Sequence, residues 1–195
     1  MAPEKKVKSE NRKDAILKAA GRLFREYGYE GTSVRDIAKA VRIQSGSLFF
    51  HFKSKEEILL CILEGGLLRA VAVLDRYLEH ARTPREKMSA ILHGHLNAVL
   101  DFERDAFTIV LRDWRTLTPA SRKKIIALRD EYESHIARVL TELSGTGLIP
   151  ADARLFRFFL LGALNWTVQW YRADGDLTID QLADGFLNLL LPPGR

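Results

Sequence analysis

The segment Thr32 to Glu57, TSVRDIAKAVRIQSGSLFFHFKSKEE, constrains this chain more than any other, because it fits two short helices around a tight turn followed by a capped third. Ser33 is placed to cap a helix with Asp36 three residues on. Val34, Ile37, Ala38 and Val41 then recur at helical spacing on one apolar face. Arg42, Ile43 and Gln44 break that period. A second short helix is expected from about Ser45 to Phe50, with Leu48 and Phe52 as anchors and small polar residues facing away. This division suits a helix-turn-helix unit, in which a buried side holds two helices rigid while short polar side chains let the other side enter a major groove.

Charge supports the same assignment. Residues 1–55 hold 13 Lys and Arg against 6 Asp and Glu, whereas residues 56–195 hold 17 against 19. A basic head on a nearly neutral body suits one polyanion-binding module, since attraction to phosphates supplies much of DNA affinity. Lys5, Lys6 and Lys8 fit either a solvated tail or minor contact with the DNA backbone.

At these residues the sequence resembles the TetR family of bacterial repressors. From Phe24 to Leu59 it follows the family run: an aromatic helix end, the Gly28-x-x-Gly31 turn, a Ser-x-x-Asp-Ile-Ala helix, a Gly-Ser-Leu-aromatic-x-x-Phe recognition segment and a Ser-Lys-Glu cap. The resemblance implies an all-α fold, homodimerisation, repression and DNA contacts from Thr32, Ser33, Arg42, Gln44, Ser45, Gly46, Ser47, Phe49, His51 and Lys55. Gln44 can pair with adenine, the serines with bases or phosphates, and Lys55 with a phosphate at a helix N-terminus. Two positions depart from the family pattern. Arg42 stands where most members carry a turn glycine, and Phe49 stands where most have a tyrosine that touches a phosphate.

Helix signals continue to the end of the chain, with no credible strand alternation, so about nine helices are expected. Asn11 can cap a first helix with Ile16, Ala20, Leu23, Phe24 and Tyr27 on one face and Gly28 at its end. Ser54 with Glu57, Thr83-Pro84 with Glu86, Thr118-Pro119 and Thr178 with Gln181 are further entry signals, and Pro192-Pro193 closes the last helix. The division is a DNA-binding head over 8–53 and a ligand-binding, dimerising body over 54–195.

The last two helices predict self-association. Their apolar residues surround the helix after Ala151 too completely for a half-exposed one, so it needs cover on more than one side. A two-fold interface through Phe159, Trp166, Leu182, Phe186 and Leu190 is expected, a monomeric core helix being the alternative. Dimerisation also lets two recognition helices read a palindrome.

The stretch Asn165-Trp166-Thr-Val-Gln169-Trp170-Tyr171-Arg172, followed by Gly175 and a capped helix, resembles a TetR subgroup whose members often answer to acyl-CoA thioesters in lipid or sterol breakdown. That resemblance implies a long apolar pocket with Trp114, Trp166 and Trp170 beside Asn165 and Gln169, and Arg112, Arg115 and Arg172 near its mouth for a phosphorylated head group. Other hydrophobic effectors are the alternative. So is a plainer assignment of tryptophans to core or interface and arginines to the solvated surface.

Other function classes fit poorly. His93 and His95 stand two apart on a helix and point away from one another, so no metal is expected. No Gly-rich phosphate loop or Gly-x-Ser-x-Gly elbow is present, and neither an enzyme nor a cofactor is expected. The lone Cys61 fits a small core residue. The longest apolar run, Phe158 to Leu164, is far short of the roughly 20 residues of a membrane span, and with no cleavable apolar N-terminus a cytoplasmic protein is expected. The runner-up from another class is a helical small-molecule binding protein without specific DNA recognition.

Overall fold

The computed structural model describes residues 3–102 and 104–192, with side chains for 12–101 and 104–192. The proposed cap of Asn11, the side chains of Lys5, Lys6 and Lys8, and Pro193 lie outside these described residues. All regular structure among them is helical: α1 (Pro3–Gly31), α2 (Val34–Ala40), α3 (Ser45–Leu48), α4 (Lys55–Glu79), α5 (Pro84–Asn97), a π-helix (Ala98–Phe102), α6 (Arg104–Asp113), a 3-10 turn (Trp114–Thr116), α7 (Pro119–Gly145), α8 (Ala153–Trp170) and α9 (Ile179–Leu190). The backbone of α1 begins at Pro3, well ahead of Asn11. No helix among the described residues is long and apolar enough to cross a membrane.

Local capping chemistry sets most helix starts. Ser33 with Asp36, Thr83 with Glu86 and Thr178 with Gln181 form reciprocal capping boxes. At α4 the reciprocity is displaced by one residue. Ser54 Oγ accepts from the Glu57 N–H at 3.1 Å, but the Glu57 carboxylate accepts from the N–H of Lys53.

The chain forms two compact units, Met1–Gly66 with Asp105–Ile126 and Leu67–Arg104 with Ala127–Arg195. In the first, α1 buries Ile16, Ala20 and Phe24, α2 buries Ile37 and Ala38, and Leu48 and Phe52 anchor the segment beyond. Gly28 interrupts α1 with φ 80° and ψ 164°. Tyr27, which helical spacing placed inside, is 60% exposed, and Tyr29 beyond the break packs on Phe24 instead with ring centroids 5.5 Å apart. The carbonyls exposed at this helix end are capped from two sides. Thr32 Oγ1 donates to the carbonyls of Leu23 and Gly28 at 3.2 and 2.9 Å, and the Arg112 guanidinium donates to those of Phe24 and Arg25. A cation at the negative end of a helix dipole is favourable as well as satisfying orphan acceptors.

In the second unit α5 packs against α9 and α8. Gly94 permits a close approach, because a Cβ there would meet the Leu74 backbone of α4 at 3.2 Å. A polar chain crosses this otherwise apolar core. Tyr132 Oη of α7 donates to His95 Nδ1 of α5 at 2.7 Å, and His95 Nε2 donates to Asn165 Oδ1 of α8 at 3.1 Å. Burial pushes the His95 imidazole down to about 4 from its ordinary value of 6.5, so it is neutral at neutral pH. One nitrogen then donates and the other accepts, which the two partners require.

This shift links stability to pH. The unfolded chain takes up a proton below about pH 6.5 that the folded core refuses until about pH 4, so the stability present above pH 6.5 falls as the pH drops through that window. Denaturant titration at pH 7 and pH 4 is expected to show the wild type losing about 3 kcal/mol more than His95→Gln, which has no such group to titrate. Equal losses in the two proteins would contradict the assignment.

Candidate functional site

The helix-turn-helix segment presents one polar side. α2 turns Ile37 and Ala38 inward and leaves Arg35, Asp36 and Lys39 exposed. Arg42 ends the turn with φ +57°, the left-handed conformation that the missing glycine would adopt without strain. The chain therefore keeps the turn geometry at a conformational cost and sets an exposed guanidinium there. α3 is a single turn, Ser45–Leu48, with Gln44 as N-cap; the chain leaves it at Phe49 rather than Phe50. Leu48 is fully buried while Gln44 and Gly46 are exposed and Ser45 and Ser47 are half-buried, so the short polar residues share the outer side. A Cβ built on Gly46 meets nothing within 4 Å.

Five expected DNA contacts are placed differently from one another. Ser33 stays exposed, but its hydroxyl is engaged with Asp36 as the α2 cap. Thr32 is 2% exposed and its hydroxyl points into the α1 end, so its side chain is structural. Lys55 does not aim its ammonium outward. Nζ donates to the carbonyls of Tyr29 and Thr32 at 2.8 and 3.0 Å and lies 4.1 Å from the centre of the Tyr29 ring, holding the start of α4 to the α1–α2 junction. His51 is half-buried in the turn after α3. Phe49 is 54% exposed, and Phe50, absent from the sequence candidates, is 89% exposed. No helical period marks Phe50, because it falls in the irregular turn between α3 and α4.

The expected effector residues divide between the two compact units. Arg112, Trp114 and Arg115 belong to the first and Asn165, Trp166, Gln169, Trp170 and Arg172 to the second. Arg112 is engaged with the end of α1 and with Asp113. Trp114 lies beside the guanidinium groups of Arg115 and Arg122, at 5.2 and 5.6 Å. Arg172 is exposed and paired with Asp174 at 3.0 Å. Asn165 joins the His95–Tyr132 chain, two partners that no sequence motif marked because they lie on other helices. His93 and His95 do point apart: His93 Nε2 faces Asp180 and Asp184 of α9 at 3.9 and 3.7 Å. Among the described residues no group of three His, Cys, Asp or Glu side chains is placed to hold a metal ion.

The outer side of α8 is apolar and bare. Leu155, Phe158, Phe159, Trp166 and Trp170 are 46–65% exposed, and on α9 Leu189 is 79% exposed. Gly162 and Gly185 leave open space beside their backbones. Of the expected interface residues Phe159 and Trp166 lie on this face and Phe186 and Leu190 are half-buried. Leu182 is 8% exposed within the single chain, where α9 packs against α5.

Comparison with known proteins matches this arrangement at both ends. Residues 16–62 match the bacterial regulatory proteins of the tetR family, and residues 81–192 match the Tetracyclin repressor-like C-terminal domain. The HTH-type transcriptional repressor KstR2 of Rhodococcus jostii (strain RHA1) is 31% identical over 92% of this chain and 89% of its own. The crystal structure of AibR in complex with isovaleryl coenzyme A and operator DNA is 32% identical with a TM-score of 0.84, over 93% of this chain and 99% of that one. The crystal structure of superantigen PfiT is 40% identical with a TM-score of 0.77, over 93% and 96%. With both its helix-turn-helix head and its helical remainder matched, the chain belongs to the TetR family of bacterial regulatory proteins.

Proposed function

We propose that this chain is a transcriptional repressor whose head, residues 8–53, reads a palindromic operator as half of a homodimer, and whose body, residues 54–195, dimerises and binds a hydrophobic effector that releases the DNA. The observation that carries the proposal is the one-sided α3 segment, with Leu48 buried beneath and Gln44, Ser45, Gly46 and Ser47 on the outer side. Gln44 is the best base reader, since its carboxamide can pair bidentately with adenine. Arg35, Lys39 and Arg42 supply exposed charge for phosphates, and Lys55, just past the head at the start of α4, braces the α1–α2 junction. The bare α8 face supports a second copy as its cover, because a contiguous aromatic stripe of this kind is costly in water.

The effector we favour is an acyl-CoA thioester. Support comes from the likeness to AibR, solved with isovaleryl coenzyme A and operator DNA, and to the fatty acid metabolism regulator of Bacillus subtilis (strain 168), 25% identical over 90% of this chain. Release is a population shift: effector binding favours a head spacing that no longer matches successive major grooves. The reading is of a cytoplasmic binding protein, not an enzyme, and it invokes no metal or cofactor. Exposed Phe49 and Phe50 favour one competing assignment, a helical binding protein that has lost specific DNA recognition, because neither ring can donate a hydrogen bond to phosphate.

Gly46→Leu is expected to leave the thermal stability of the free protein unchanged, since the new side chain enters open space. Its bulk on the outer side should weaken specific DNA binding by about 100-fold or more, read by fluorescence anisotropy; unaltered binding would remove α3 from the groove. Isovaleryl coenzyme A, titrated into the complex with a labelled duplex of preferred sequence, is expected to lower the anisotropy to that of free DNA. Bound DNA at saturating thioester, with tryptophan fluorescence also unresponsive, would exclude this effector class.

A further inference from the structure

The Tyr132–His95–Asn165 chain does more than join three helices. Helix packing at these positions needs only volume, which Phe, Leu and Leu would supply without burying a hydroxyl and an imidazole. The polar chain fixes instead an orientation. Asn165 Oδ1 accepts from His95 Nε2, so the carboxamide cannot turn over, and its Nδ2 is held on the opposite side, where it donates to no group among the described residues. Asn165 is the half-exposed end of the chain, while His95 and Tyr132 are 1% and 2% exposed. Each bond polarises the next in a low-dielectric core, which sharpens Nδ2–H as a donor. The π-helix Ala98–Phe102 begins three residues after His95 on the same stretch of helix, packs on α8, and is the kind of backbone irregularity that recurs at functional sites.

We propose that the Asn165 Nδ2–H reads the acyl carbonyl oxygen of the effector, and that His95 and Tyr132 are positioning residues that aim it. The inference rests on the acyl-thioester reading and adds its polar contact: an acceptor on the acyl side of the ligand, distinct from any contact to the phosphorylated head group. A carbonyl oxygen suits the site because the fixed Nδ2 offers donors and no acceptor, and so selects an acceptor on the ligand. A plain hydrocarbon gives it nothing, and leaving the donor unpaired on binding would count against such a ligand.

The test uses the full-length protein, with isovaleryl coenzyme A and free coenzyme A as probes, because only the first carries the acyl carbonyl. Asn165→Asp keeps an acceptor for His95 Nε2 and removes the N–H donor. The ratio of the two affinities, measured by calorimetry, is expected to fall at least about tenfold in this variant; the added charge acts alike on the head group that both ligands share, and its repulsion of the acyl carbonyl adds to the loss. Tyr132→Phe removes one hydroxyl and keeps the ring, so it tests the relay if the carboxylate variant fails to fold; its ratio is expected to fall several-fold with free coenzyme A binding unchanged. A purely structural network would lower thermal stability in both variants and leave the ratio at its wild-type value, which would overturn the inference while the effector reading stood. A wild-type protein that binds the thioester no better than free coenzyme A would overturn the acyl reading and this contact with it.

Discussion

Presentation of the recognition segment depends on how the C-terminal end of α1 is closed. An α-helix ends with carbonyls that have no internal partner, and here Gly28 breaks the helix before they could be satisfied by further turns. Thr32, Arg112 and Lys55 supply the missing donors, from the α1–α2 junction, from α6 and from the start of α4. Three helices of the first unit, α1, α4 and α6, thus meet at the carbonyls on either side of this break. Charge-assisted bonds of this kind are stronger than neutral ones, and two of the donors are cations facing the negative end of the α1 dipole. The α2–α3 pair hangs from this junction, so its polar outer side is as well positioned as the closure is firm.

The same closure takes up two cations that sequence alone places on the surface. A Lys or Arg can pair with phosphate or with backbone carbonyls, and Lys55 and Arg112 do the latter. On the proposed function, phosphate attraction near the recognition segment rests with Arg35, Lys39 and Arg42, which are exposed. Arg42 carries this role in a left-handed turn, where a glycine would be relaxed but uncharged. The departure from the family pattern thus trades local strain for a cation next to Gln44.

Elements governed by local chemistry were legible in the sequence: the capping boxes at Ser33, Thr83 and Thr178, the Gly28 break, the stop of α7 at Gly145, and the buried anchors Leu48 and Phe52. Elements decided by partners far along the chain were not. Lys55 satisfies every local criterion for a phosphate contact at a helix start, yet carbonyls 26 and 23 residues away take its protons. Leu182 lies on a strong apolar stripe, but periodicity says only that a stripe is covered, not whether α5 or a second chain covers it. Asn165 was identified by resemblance alone; the physical basis of its orientation lies with His95 and Tyr132, 70 and 37 residues apart along the relay.

The central claim is that two copies of this chain together read a two-fold symmetric DNA sequence through α3. In vitro selection of the purified wild-type protein on a library of random duplexes tests it directly. The account predicts enrichment of an inverted repeat with half-sites about one helical turn apart. Recovery of no enriched sequence, or of a single unpaired half-site, would contradict it.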